Sequence, residues 1–194
     1  MPIVPGPPHH AGVLVPIRGF TSGKARLGEV LGVHERVELA ITMANAVVEA
    51  AGPLPVTVVS SSAEVQAWAR THGIELVEDP GTGLDAAVTA GRDALRNQGY
   101  SRVIVVHADL PRARPGTLAR FATVDASTVT IVPSHRDDGT PVLGLPSAVA
   151  FEFAYGVGSA GRHAKIARSL GLTVELVHDP DLGFDVDLPE DLDS

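Results

Sequence analysis

Cysteine is absent from the 194 residues, which removes a disulfide framework, a thiolate metal site and a cysteine nucleophile together. Aromatic residues make up only 4%, so a buried core has to be assembled from Val, Leu, Ile and Ala. Basic residues are outnumbered. Fifteen Lys and Arg against 23 Asp and Glu leave a net charge of −8, whereas nucleic-acid binders carry a basic excess. No apolar run approaches the ~20 residues that cross a bilayer, and no basic segment followed by an apolar stretch marks a secretory leader. These absences point to a cytoplasmic protein that engages neither nucleic acid nor membrane. A G-x-S-x-G elbow is missing. His34-Glu35 opens an H-E-x-x-H motif that is never completed, so a hydrolytic triad and a zincin site are both disfavoured.

What is present reads as one soluble domain. At 44% hydrophobic and 20% charged, the chain is long enough for a single well-buried core. Residues 1–11 (MPIVPGPPHHA) are Pro-rich and read as a flexible arm, leaving 12–194 as the domain. No internal repeat or linker divides it. Short β-branched runs predict buried strands at Gly12–Pro16, Val56–Ser60, Glu75–Glu78, Val103–His107 and Val129–Val132, with a weaker pair at Val142–Leu145 and Thr173–Val177. Helical spacing of Val33, Val37, Ala40, Ile41, Ala44, Val47, Val48 and Ala51 predicts a helix stopped by Gly52-Pro53. Further helices are expected from Leu84 to near Gly99, over Glu64–His72 and over Arg162–Leu170. Continuous apolar strands alternating with helices predict an α/β protein: a single-domain, open, mostly parallel sheet with helices on both faces. Such sheets bind ligands at the carboxyl ends of their strands, so the loops there are the place to look for chemistry.

After the first strand, Arg18-Gly-Phe-Thr-Ser-Gly-Lys24-Ala-Arg26-Leu27-Gly28 combines Gly19 and Gly23 with three cations, which suits a polyphosphate. It is one residue too short for a Walker A loop, and Ala25 stands where that loop places its Mg²⁺-binding hydroxyl; a flexible basic surface loop is the other reading. After the fourth strand comes His107-Ala-Asp109-Leu-Pro. Asp109 there is either a helix cap or an oxygen ligand for a hard cation such as Mg²⁺. Near the C-terminus Asp185 and Asp187, two apart, share one side if the segment is extended; Asp187 capping a short helix is the alternative. If this segment runs beside Asp109, three carboxylates converge without a cationic partner in sequence, and such a cluster needs a metal. Tyr155-Gly-Val-Gly-Ser159-Ala-Gly-Arg162-His163 is a Gly-rich turn opening a helix. Its backbone N–H groups, with Arg162 and His163 as added donors, suit an anion, unless Ser159 is only an N-cap. Gly83 and Asp85 sit in another Gly-rich turn that could hold a base or ribose edge.

With these residues in view the chain resembles the 2-phospho-L-lactate or phosphoenolpyruvate guanylyltransferase family of coenzyme F420 biosynthesis. The resemblance runs from Gly12 to Leu192 and is carried by P-x-R-x(5)-K-x-R-L at Pro16–Leu27, ADLP at Ala108–Pro111, DGT at Asp138–Thr140, YGxGSxxRH at Tyr155–His163 and DVDxPEDL at Asp185–Leu192. It implies a GT-A-type, Rossmann-like nucleotidyltransferase domain that joins GTP to a three-carbon phosphoacid and releases pyrophosphate. It further implies that Lys24 and Arg26 face the triphosphate, that Asp109, Asp185 and Asp187 surround Mg²⁺, and that Thr140, Gly156 and Ser159 hold the acceptor. Asp85 stands where members commonly carry Asn, and Pro141 follows Thr140 where Asn or Ala is common. A molybdenum-cofactor or sugar-phosphate nucleotidyltransferase and a non-catalytic nucleotide-binding domain are the rival readings. Among the phosphoacids phosphoenolpyruvate is favoured and a downstream deazaflavin-coupling enzyme is the expected recipient of the product; the sequence leaves the oligomeric state open, a homodimer being one option.

Overall fold

The computed structural model describes residues 11–21, 24–136 and 138–193. Residues 1–10 of the expected arm lie outside them, as do Ser22 and Gly23 of the basic loop; Ala11, assigned to the arm, instead opens the first strand. The order of elements is β1 (Ala11–Pro16), α1 (Val33–Ala51), β2 (Val56–Val59), α2 (Ala63–Thr71), β3 (Glu75–Val77), α3 (Leu84–Asn97), β4 (Arg102–Val106), β5 (Thr128–Val132), β6 (Val142–Pro146), α4 (Ser159–Ser169) and β7 (Thr173–Leu176), with 3₁₀ turns at Ala25–Glu29, Thr117–Ala122 and Pro189–Asp193. Every expected strand and helix forms, most within a residue or two of its expected limits. The largest shift is at α4, which starts three residues before Arg162 because Gly158, at φ 71°, supplies the left-handed turn that launches it. No helix among the described residues is long and apolar enough to cross a membrane.

The seven strands lie in the order β3-β2-β1-β4-β6-β5-β7. All pairings are parallel except those of β6, which runs antiparallel to both β4 and β5. The central strands are apolar on both faces because helices cover both. Along β1, Val13 and Val15 join one buried cluster with Ala44 and Val47 of α1 and Val65 and Trp68 of α2. Leu14, pointing the other way, joins Ala87, Val88 and Leu95 of α3 and Ala160 and Ala164 of α4. Alternate residues of β4 divide in the same manner. The edge strands β3 and β7 are partly exposed.

The chain steps outward from β1 to β2 and β3, then returns across β1 to β4. The reversal leaves a crevice beyond the carboxyl ends of β1 and β4, where open α/β sheets receive their ligands. A cleft of about 680 Å³ lies there, lined by residues that follow β1, β2, β3 and β4.

The helix covering this junction packs so closely that one position tolerates no side chain. A Cβ on Gly91 of α3 would press into the Leu14 side chain and stand 2.7 Å from Val59 Cγ2. Gly91→Ala gains about 1 kcal/mol in helix propensity but overpacks a site that costs about 1–3 kcal/mol. The variant is expected to be less stable than the wild type by about 1 kcal/mol in urea unfolding, the opposite of an ordinary Gly→Ala change in a helix.

Candidate functional site

The cleft is organised around one ammonium group. Lys24 follows the β1 loop in the left-handed conformation, φ 57° and ψ 37°, which costs a non-glycine residue about 1–3 kcal/mol and persists only when its surroundings enforce it. Its Nζ donates to Asp109 Oδ2 at 2.6 Å and Asp187 Oδ1 at 2.9 Å. The Lys24 side chain is 11% exposed and Asp109 24%, while Asp187, at 48%, opens to the cleft. Burial alone would lower the Lys24 pKa, but the two carboxylates, Asp109 foremost, outweigh it and raise it. Burial likewise opposes ionisation of Asp109, and Lys24 reverses the balance so that its pKa falls below 3.8. The expectation of carboxylates converging without a cation is therefore corrected. Lys24, 85 residues away from Asp109 in sequence, pairs with Asp109 and Asp187 and offsets one of their two charges.

Asp187 is held by its own backbone. Val186 N–H donates to Asp109 O, and the N–H groups of Asp187 and Leu188 both donate to Asp191 Oδ2. Buried Asp191, paired with Arg136, does the capping, which frees the Asp187 carboxylate for Lys24. Asp185 faces elsewhere: its Oδ1 accepts from Ser134 Oγ at 2.8 Å. Burial first, and then repulsion from Asp109 and Asp187, raise its pKa despite the Ser134 bond. No group of three His, Cys, Asp or Glu among the described residues is arranged as a metal cage. Asp109 Oδ1, however, is buried with no hydrogen-bond partner.

Arg18 and Gly83 line the cleft with Lys24, His107, Asp109 and Asp187. Arg26, expected to face the triphosphate, is exposed and does not line the cleft. The loop depends on a residue that sequence reading missed. Glu64 Oε1, near the start of α2, accepts from Phe20 N–H at 2.7 Å, Thr21 N–H at 2.9 Å and Thr21 Oγ1 at 3.0 Å. The Thr21 backbone bond is the main reason its pKa is lowered. In sequence Glu64 is only an acid in a helix's first turn.

The expected acceptor residues form a second, inward-facing group. His163 Nε2 accepts the Ala154 N–H at 3.0 Å. The neutral ring therefore carries its proton on Nδ1 and donates to Thr140 Oγ1 at 3.0 Å, and Thr140 in turn lies 2.8 Å from Ser159 Oγ. Burial, then the Arg162 charge, push the His163 pKa down to about 4. Thr140, Ser159 and His163 are all buried. Ser159 is not the helix cap, a position taken by Gly158. Arg162 spends its guanidinium on the carbonyls of Ala154, Tyr155 and Val157. As donors to a substrate, Arg162 and His163 are corrected: both clamp the turn that carries exposed Gly156. Asp85 is also turned away from the cleft, its Oδ1 accepting the Tyr155 N–H at 2.9 Å. It ties the start of α3 to this turn.

A family model described as Guanylyl transferase CofC like matches residues 11–194. The chain belongs to this family. Among CofC-like relatives, it is 34% identical to a phosphoenolpyruvate guanylyltransferase of Rubrobacter xylanophilus over 92% of this chain and 90% of that one. It is 30% identical to the enzyme of that name from Chloroflexus aggregans over 93% and 94%. A 3-phospho-D-glycerate guanylyltransferase of Phenylobacterium zucineum is 29% identical over 93% and 87%. The fold is shared with a nucleotidyl transferase from Methanothermobacter thermautotroptrophicus, with TM-score 0.67 and 19% identity over 94% of each chain. It is shared also with a putative nucleotide-diphospho-sugar transferase from Desulfovibrio desulfuricans, with TM-score 0.74 and 16% identity over 94% of this chain and 84% of that one.

The ion triad of this CofC-like protein has a signature in pH. Asp109, with its pKa lowered from 3.8, contributes stability that is present above that value and is lost as pH falls through the folded pKa. Lys24, raised from 10.5, contributes stability that is present below that value and is lost as pH rises through the folded pKa. Lys24→Met is expected to cost roughly 1–3 kcal/mol at pH 7, discounted from a fully buried pair because Asp187 is half exposed. The gap to wild type should shrink as pH falls below about 4. Urea unfolding of both proteins between pH 3 and pH 8 measures it.

Proposed function

We propose that this chain transfers GMP from GTP to the phosphate of a three-carbon phosphoacid, phosphoenolpyruvate foremost, with release of pyrophosphate, as a step in coenzyme F420 biosynthesis. The observation that carries this reading is the cleft at the β1/β4 switch point, where Lys24 holds Asp109 and Asp187 together beside Arg18. Relatives named for phosphoenolpyruvate match over nine-tenths of the chain, which supports the choice of acceptor.

The chemistry asks little of a general base. The second pKa of a phosphate ester is about 6, so the acceptor oxygen is already anionic at neutral pH. The protein has instead to align two anions and offset their repulsion. Arg18 and Lys24 supply positive charge on the cleft wall, and the loop that carries them is anchored by Glu64. The departing pyrophosphate is stabilised by these same cations. Mg²⁺ fits the carboxylates: the buried, unpartnered Asp109 Oδ1 and the exposed Asp187 would hold it, with Asp185 near enough to feel both charges. When bound, the ion would supply a hard positive charge that offsets phosphate charge. The product is a phosphoanhydride, and the deazaflavin-coupling enzyme proposed downstream would consume it.

Incubation of the purified protein with α-labelled GTP, Mg²⁺ and each phosphoacid in turn tests the reading. Labelled GMP adduct and pyrophosphate are expected with phosphoenolpyruvate, and a chelator should abolish both. Asp109→Asn should lower turnover by roughly a hundredfold or more, as expected for loss of a charged ligand and of the partner of Lys24. Pyrophosphate release that does not depend on a phosphoacid would refute the proposal. Preference for 3-phospho-D-glycerate would correct the acceptor alone.

The Glu64 anchor adds a second expectation. Glu64→Ala should raise KM for GTP roughly tenfold, since it unties two backbone N–H groups and a hydroxyl from a charged acceptor. KM for the phosphoacid at saturating GTP should be unchanged. Steady-state kinetics with each substrate varied in turn gives the comparison.

A further inference from the structure

Among the described residues, three carboxylates line the cleft: Asp79, Asp109 and Asp187. Lys24 holds the last two. Asp79, in the turn just past β3, pairs with no cation among the described residues and carries a single bond, in which its Oδ1 accepts the Gly81 N–H at 2.8 Å. Asp85, at the other end of the same turn, is spent on the Tyr155 N–H. An ionised carboxylate offers about four acceptor positions, so Oδ2 and part of Oδ1 stay open to a ligand. The bond to Gly81 ties the Asp79 side chain to its own backbone, as in an Asx turn. An acceptor fixed in this way loses little freedom when a ligand binds it.

The surroundings of Asp79 suit a flat ring. Leu84, which opens α3, lines the same cleft with 39% of its surface exposed, and Pro16 at the end of β1 adds a second apolar wall. A Cβ on Gly81 or on Gly83 would meet nothing within 4 Å, so the turn leaves open space beside the carboxylate. Position assigns that space to the nucleotide. β3 lies two strands from β1, about 10 Å at the usual strand spacing. A triphosphate held by the cations of the β1 loop therefore carries its base, one ribose away, toward the end of β3.

We propose that Asp79 selects the nucleotide, its carboxylate accepting the N1–H and the 2-amino group of guanine together. The inference rests on the guanylyl-transfer reading above and names the group that decides which nucleoside triphosphate is used. Of the common bases only guanine sets two donors side by side on its Watson–Crick edge. Adenine and cytosine each turn an unprotonated ring nitrogen toward that edge. A carboxylate can only accept, and it repels such a nitrogen. Uracil has one N–H there, between two carbonyls. Paired hydrogen bonds to an ionised acceptor are stronger than neutral ones and fix orientation as well.

Asp79→Asn tests the pairing directly. The amide keeps an oxygen for the Gly81 N–H and replaces the other acceptor with an NH2 donor. Xanthosine triphosphate carries a carbonyl in place of the 2-amino group and retains N1–H, so it matches the amide where GTP does not. The ratio of kcat/KM for GTP to that for xanthosine triphosphate is expected to fall by roughly a hundredfold or more in the variant, as one pairing is lost and another gained. KM for phosphoenolpyruvate at saturating nucleotide should stay at the wild-type value. Inosine triphosphate, which lacks the 2-amino group, should bind the wild type roughly tenfold more weakly than GTP in calorimetry; this comparison needs no variant. An unchanged GTP-to-xanthosine-triphosphate ratio in Asp79→Asn, or equal losses on both nucleotides, would overturn the proposal, as would equal binding of inosine triphosphate and GTP by the wild type. Failure of the wild type to transfer GMP to any phosphoacid would instead bring down the functional reading, and the calorimetric preferences would still decide whether Asp79 reads guanine.

Discussion

One ammonium between two carboxylates governs how this molecule closes. Lys24 and Asp187 are 163 residues apart in sequence, so their contact joins the first loop of the sheet to the last segment of the chain, with Asp109 of the central β4 edge between them. Asp109 is costly to bury as an anion and Lys24 as a cation; each becomes tolerable only because the other is there. The same contact holds Lys24 in a backbone conformation it would not adopt alone. It shapes the cleft together with two other anchors: Glu64 on the β1 loop and Asp191 on the 185–191 segment.

A second set of buried polar groups stiffens the other half of the sheet. Arg102, at 4% exposure, gives its guanidinium to Phe121 O, Thr128 O and Thr130 Oγ1. Gly144 on β6 makes the room, since a Cβ there would meet Arg102 Nη2 at 3.0 Å and collide with Thr130. Around the 154–163 turn, His163, Thr140 and Ser159 form a hydrogen-bonded chain and Arg162 ties down three carbonyls. Such fully partnered networks specify one arrangement more sharply than apolar packing does. Against that background, the unpartnered Asp109 Oδ1 stands out.

The same networks explain which site residues could be read in advance. Lys24, Asp109 and Asp187 were visible because each is a charged residue just past a strand or in a spaced pair, and the cleft does assemble from them. Arg26, Arg162, His163 and Asp85 carry equally suggestive side chains in equally suggestive turns. Contacts that residue type does not announce decided the direction of the last three: Arg162 is taken by carbonyls of its own turn, His163 by the Ala154 N–H and Thr140, and Asp85 by the distant Tyr155 N–H. Glu64 offered no signal at all, because its partners are backbone groups more than forty residues distant.

Periodicity and composition by themselves determined the elements and the class of fold. Apolar runs without alternation can be stable only when both faces are covered, and the glycines after α1 and before α4 punctuate them. Local pattern carries that information because burial demand and backbone freedom are properties of short segments. The order of strands, the antiparallel insertion of β6 and the pairing of Lys24 with Asp109 and Asp187 were decided only in the tertiary structure. A residue's type says which bonds it can make; which partner it meets depends on where the sheet carries distant parts of the chain. Ionisation followed from the same cause, for the charges on Lys24 and Asp109 survive burial only because the fold brings them within 2.6 Å of each other.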